Sequence, residues 1–199
     1  KSAAGKSEIV ALMGVVTVST GMADCPMEQR EAVIRVGREA VLFYLVAYVF
    51  MDLGAFFAVI VIADRLGVED LAGYRGLGWR APGVAAAMTI FLLSLIGLPP
   101  MAGFVGKLLL FKAAIEAGLV WLAVVGALNS VVSLCYYVKV MKAMYLEGIP
   151  ADGQTLPALH VPPFATILLF VLAAPTVILG IAFEPLYDFV RYSLTGIGY

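Results

Sequence analysis

The sequence predicts an all-α membrane protein, a polytopic bundle of transmembrane helices in which one helix is broken. Three observations carry that prediction. Hydrophobic residues make up 62 % of the chain and charged residues only 14 %, with a mean hydropathy of +0.99; a soluble domain of this length needs far more polar surface to cover its core. The apolar residues gather into stretches long enough to cross a bilayer. One such stretch is interrupted by Gly97-Leu98-Pro99-Pro100 and then carries a lysine.

A spanning helix needs about 20 mainly apolar residues, because the hydrocarbon core is roughly 30 Å thick and each residue rises about 1.5 Å. The first clear span runs from Ala40 to Ala63 and contains FYLVAYVFMDLGAFFAVIVIA, with Arg38 and Arg65 at its flanks. The second is the interrupted region from Val84 to Gly118, the third runs from Val120 to Tyr145 and the fourth from Pro163 to Val190. Ile9 to Ala23 is a weaker candidate, short enough for a core helix, a re-entrant piece or a truncated span. Asp24 to Glu39, with Glu28, Arg30, Glu31, Arg35, Arg38 and Glu39, is too charged to span and reads as an interfacial helix or loop. The chain therefore divides into residues 1–39 and a transmembrane bundle over residues 40–199.

The connections follow the same logic. Asp64 to Ala81 holds six charged residues and is aqueous, whereas Glu147 to Pro162 is rich in Gly and Pro and has no Lys or Arg. Positive charges divide almost evenly between the two sides, with a lean that places Asp64–Ala81 and Lys139 in the cytoplasm. Tyr136, Tyr137 and Tyr145 near Lys139 read as an aromatic belt at that interface. The net charge of -1 and the lack of a basic run argue against nucleic acid. Cys25, Cys135 and His160 stand apart, without metal-ligand spacing.

The interruption cannot be continuous helix. Proline has no N–H, and the residue before it is pushed out of the α region. Gly97, Pro99 and Pro100 thus mark either a hairpin of short helices or a single crossing broken in the middle. Irregular backbone at membrane depth survives only where protein or a water-filled cavity satisfies it. Lys107 follows, roughly 15 Å from the helix end near Gly118. That is too deep for easy snorkelling, and a central lysine costs about 2.5 to 3.5 kcal/mol on insertion scales. Desolvation disfavours the charged form of an amine, which suits proton exchange, so Lys107 is read as a proton-relay residue, with structural pairing to an acid as the competing reading.

Asp52 sits mid-helix, another costly position, and reads equally well as a relay member or a hydrogen-bonded structural acid. Lys139 lies near the interface, where it can snorkel or receive protons from a central chain. Lys112 and Glu116, four residues apart, form a local pair. Glu184, late in the fourth span, reads as interfacial. Asn129 and Ser130 are interhelical hydrogen-bonding groups. No Rossmann glycines, clustered cysteines or haem-type histidine pair appear, so no cofactor is expected in this chain.

Phe91 to Lys107, reading FLLSLIGLPPMAGFVGK, resembles the antiporter-like membrane subunits of respiratory complex I, most of all those of the subunit N (subunit 2) type. Phe43-Tyr44-Leu45 through Leu53-Gly54-Ala55-Phe56, Tyr74-Arg75-Gly76-Leu77-Gly78 and Leu128-Asn129-Ser130-Val131-Val132-Ser133 agree with it. The resemblance covers Ala40 to Leu146, and the last helix more loosely.

The resemblance implies the second half of an inverted-repeat fold with a broken helix in each repeat, in a multi-pass protein of a bacterial inner membrane. It implies proton translocation coupled to electron transfer from NADH to quinone, in a complex with other membrane subunits. NADH, flavin, iron–sulfur clusters and quinone then belong to those partners, and quinone touches this chain only indirectly. Lys107, after the Gly103-Phe104-Val105-Gly106 motif, matches the family's broken-helix lysine. Two departures stand out: Asp52 replaces an expected asparagine, and residues before Ala40 do not match. The first repeat is missing from this chain, which reads as a C-terminal fragment or truncated product. Runner-up readings are a multisubunit cation/proton antiporter, a membrane-bound hydrogenase subunit, or a truncated scaffold.

Overall fold

The structure is a computed structural model that describes residues 27–67, 70–147 and 160–196, with side chains from residue 31 to 194 of these. The weak span at Ile9–Ala23 lies outside the described residues, as does most of the acidic Glu147–Pro162 connection. Among the described residues the chain is all helical. Its elements are α1 (Met27–Leu66), a 3₁₀ turn (Leu71–Tyr74), α2 (Leu77–Arg80), α3 (Pro82–Ile96), α4 (Ala102–Glu116), α5 (Val120–Tyr145), α6 (Pro163–Ile181) and α7 (Glu184–Gly196). Three helices among the described residues are long and apolar enough to cross a membrane: the Glu31–Leu66 part of α1, α5 and α6.

α1 runs 40 residues, or about 60 Å at the helical rise. The charged segment before Ala40 is thus neither a loop nor a separate helix lying in the interface. It continues the first span, and the boundary drawn at residue 40 falls inside α1. Its residues favour this: Glu and Arg are good helix formers, and Arg35 lies 3.7 Å from Glu39 one turn on. The outward face of the spanning part stays apolar, with Leu53, Phe56 and Ile60 exposed.

Landmarks along α1 decide between hairpin and broken crossing. Gly54 abuts the ring of Phe91 on α3. Ser94 donates its hydroxyl to the Met51 sulfur at 3.3 Å, and Gly106 on α4 lies against Tyr44. As the chain advances through α3 into α4, its partners on α1 move steadily the other way, where a hairpin would double back. α5 agrees: Gly126 abuts Phe111 on α4, and Tyr145 meets Thr89 on α3 with their hydroxyl oxygens 3.0 Å apart. α3 and α4 are therefore one crossing, antiparallel to both α1 and α5, broken at 97–101.

The core lies where α1, α3 and α6 meet, around Met51, Ala58, Ile62, Ala85, Phe91 and Leu169. Small residues there bring backbones close, as in membrane helix packing generally. The connection 64–81 folds over this end of the bundle: Tyr74 and Leu77 are buried, and the Gly76 N–H donates to the Ala143 carbonyl at 3.3 Å.

The fourth span departs from the expected single helix. It stops at Ile181 and restarts at Glu184 as the shorter α7. Pro185 supplies the reason: it has no N–H to return to the Ile181 carbonyl, so the ladder cannot continue, while a proline is tolerated in the first turn of a new helix. Glu184 is accordingly an exposed first-turn residue of α7 rather than a late residue of one long helix.

Candidate functional site at the helix break

The break is built from local rules. Gly97 takes a left-handed conformation at φ 89° and ends α3, a geometry that favours residues without a Cβ. The N–H groups of Gly97 and Leu98 both return to the Leu93 carbonyl at 3.1 Å, a Schellman-type termination. Across the gap, the Gly103 N–H near the start of α4 donates to the Ser94 hydroxyl at 3.1 Å. The approach is so close that a Cβ on Gly103 would collide with the Ser94 carbonyl, and one on Gly180 of α6 would collide with the Pro100 carbonyl. The two halves and α6 are thus locked together through positions that tolerate no side chain.

The proline pair has a second consequence. In a continuous helix the carbonyls of Leu95 and Ile96 would accept from the N–H groups of residues 99 and 100. Both of those residues are proline and have none. The Lys107 ammonium supplies the missing donors: its Nζ lies 2.9 Å from the Leu95 oxygen and 3.0 Å from the Ile96 oxygen. Its stem crosses Gly97. A cation at a helix C-terminus is also favoured by the helix dipole. Among the described residues no carboxylate lies within ion-pair distance of Lys107, so the competing reading of a lysine–acid pair has no partner there.

Lys107 opens on a groove of about 300 Å³ between α1, α4 and α5. Four phenols line it, Tyr44 and Tyr48 from α1 and Tyr136 and Tyr137 from α5, together with Asn129, Ser130 and Ser133. The rings sit in pairs, with centroids 5.7 Å apart for Tyr44–Tyr48 and 4.5 Å for Tyr136–Tyr137. A phenol both donates and accepts a hydrogen bond, so this wall can order water and relay protons. Tyr136, half exposed, and Tyr137 thus line the groove, while Tyr145 stays at the helix end beside Gly78. Gly126 on the same face of α5 packs against Phe111 of α4.

Asp52 stands one turn from Tyr48 on α1. It is half-buried and does not itself line the groove. Lys139 lies on the exposed face of α5 and does not line the groove. Lys112 and Glu116 form the expected exposed pair at 3.8 Å. The structure thus brings Lys107, Gly97, Pro99, Pro100, Gly103 and Gly106 to one place, sets Asp52 one turn from the groove-lining Tyr48, and leaves Lys139 apart.

A second buried charge escaped the sequence reading. Glu39, 4 % exposed, accepts from the Tyr187 hydroxyl at 2.9 Å and has the Nε atoms of Arg35 and Arg191 at 3.7 and 3.9 Å. Burial, then the Glu39 carboxylate, push the Tyr187 phenol upward, which keeps it a donor. This cluster ties α7 to the far end of α1. Its only sequence signal is the i,i+4 spacing of Arg35 and Glu39.

Residues 31–133 match the family described as NADH:quinone oxidoreductase/Mrp antiporter, TM. The chain belongs to this family. The matched region of the NADH:quinone oxidoreductase/Mrp antiporter family takes in the break, Lys107 and most of the groove. Relatives include NADH-quinone oxidoreductase subunit N 2 of Sorangium cellulosum, 48 % identical over 163 residues, which are 80 % of this chain and 31 % of the relative. Subunit N of Chlorobium chlorochromatii is 44 % identical over 170 residues, 82 % of this chain and 32 % of that one. The chain thus spans about a third of the length of the curated relatives it matches.

Among solved structures, respiratory complex I from Thermus thermophilus with bound aureothin holds a chain with TM-score 0.59 and 30 % identity, covering 76 % of this chain and 34 % of that one. The Mrp complex from Dietzia sp. DQ12-45-1b holds another with TM-score 0.70 and 23 % identity, covering 79 % and 37 %; that likeness shows the fold.

Proposed function

We propose that this chain contributes a proton-conducting half-channel to a membrane-bound NADH–quinone oxidoreductase, with Lys107 as the residue that takes up and releases the proton. The observation that supports this most is the seating of the Lys107 ammonium on two donor-less carbonyls at a mid-membrane break, open to a phenol-lined groove. Carbonyl dipoles stabilise the ammonium without a fixed counter-charge, so a proton can leave without stranding a buried anion. The tyrosines, with groove water, offer the path onward, and Asp52 lies at its α1 end as a further proton acceptor. Lys139, nearer the surface, is an exchange point with bulk water at most.

In this reading the chain carries no redox chemistry itself. NADH, flavin, iron–sulfur clusters and quinone are handled by partner subunits, and the chain sits as a multi-pass protein in the lipid bilayer of a bacterial inner membrane among other membrane subunits. The naming of the relatives as subunit N favours this over an antiporter, a hydrogenase subunit or a scaffold. The test is Lys107→Ala in the assembled complex, with proton uptake by sealed vesicles followed alongside NADH oxidation. Pumping is expected to fall at least fivefold at normal assembly. Unchanged pumping at normal assembly would remove the relay role.

A further inference from the structure

A second cavity, of about 240 Å³, lies far from the groove, at the end of the bundle where α3 and α6 begin. Arg80, His160 and Thr166 bring a guanidinium, an imidazole and a hydroxyl to it, and the remaining wall is Ala81 to Val84 with Val161. Arg80 and His160 each lie just before a helix of the bundle, at Pro82 and at Pro163. The cavity is therefore level with the entry of both helices into the apolar zone. The positive ends of the two helix dipoles open on the same place. A guanidinium has five donors, so Arg80 can engage an anion while keeping a bond within the protein.

The surroundings say which anion. On α6, Phe170 (45 % exposed) lies one turn inward of Thr166 and, like it, borders Gly83, and Trp79 (68 %) stands beside Arg80. A tryptophan at this level is the usual anchor of the headgroup zone. A polar, cationic cavity that borders an exposed apolar ring on the membrane-facing side matches an amphiphile with an anionic head. We propose that Arg80, His160 and Thr166 form a headgroup site for an anionic phospholipid, whose phosphate sits in the cavity and whose acyl chains pass Phe170. This site is independent of proton relay at Lys107.

The test uses the full chain in detergent with Trp121→Phe as background, so that Trp79 is the sole tryptophan and reports on the site. Phosphatidylglycerol, phosphatidylcholine and inorganic phosphate are titrated separately. A saturable change in Trp79 emission with phosphatidylglycerol alone is expected, with half-saturation raised at least tenfold in Arg80→Gln and in His160→Gln. Equal response to phosphatidylcholine, or wild-type titration by the variants, would overturn the proposal. Saturation by inorganic phosphate at matching concentration would overturn the lipid as its source. Far-UV circular dichroism checks folding; should Arg80→Gln misfold, His160→Gln and Thr166→Val decide the outcome by the same criteria.

Discussion

Glu39, buried, and Lys107, half-buried, are both ionisable groups drawn away from water, and they are treated in opposite ways. Glu39 is surrounded by groups that match its charge: a phenol donor and two guanidinium groups converge on it from α1 and α7. Lys107 is held by two carbonyl oxygens of α3 and by no carboxylate among the described residues. A buried charge with counter-charges resists any change of protonation, because either partner alone would be stranded. A charge held by dipoles alone strands no opposite charge when its proton leaves. The first arrangement fastens helices together, and the second suits a proton carrier. Both are ionisable residues in a membrane protein, so burial alone does not identify function; the kind of partner does.

The comparison can be strained at the supports of each site. The largest effect is expected at the seat of Lys107. Gly103→Val would drive a branched side chain into the Ser94 backbone, which cannot move without dislodging the Ser94–Gly103 bond. Overpacking of this kind costs about 1–3 kcal/mol, and loss of the bond adds about 1 kcal/mol. Thermal unfolding in detergent should show the chain lowered by that amount, with Lys107 no longer aligned.

Glu39→Ala comes next. It removes the acceptor of Tyr187 and the shared partner of Arg35 and Arg191. Because both arginines are more than half exposed, the loss is set mainly by the charged hydrogen bond, about 1.5–3 kcal/mol. α7 should become more accessible to protease, while proton pumping per assembled complex stays at the wild-type level. Pumping that falls with Glu39→Ala would blur the distinction between the two charges. The smallest effect is expected for Lys112→Ala, which breaks an exposed i,i+4 pair worth about 0.3–0.5 kcal/mol; neither unfolding nor pumping should change measurably.

Much of this was legible in the sequence, and the reasons for the rest are physical. Span length and the Gly-Leu-Pro-Pro interruption announced the bundle and its break, because proline chemistry acts locally. The match of Pro99 and Pro100 to the carbonyls of Leu95 and Ile96 was also readable, since it follows from i to i+4 spacing alone. The groove face of α5 was readable as well, since Gly126, Asn129, Ser130, Ser133, Tyr136 and Tyr137 recur at helical spacing; which residues of α1 and α4 that stripe meets was not, because helix spacing carries no information about the neighbouring helix. Glu39 was hidden for a different reason: its partners Tyr187 and Arg191 lie some 150 residues away, on a helix that exists separately because Pro185 breaks the last span.

The central claim is that Lys107 works by losing its proton, not merely by filling the carbonyl seat with positive charge. Lys107→Arg separates these, because a guanidinium can bond the Leu95 and Ile96 carbonyls yet does not deprotonate in proteins. The measurement is proton pumping by the assembled complex in sealed vesicles, normalised to the amount of complex. The account predicts that Lys107→Arg assembles normally and pumps as poorly as Lys107→Ala. Wild-type pumping by Lys107→Arg would contradict it and leave Lys107 a structural cap for the end of α3.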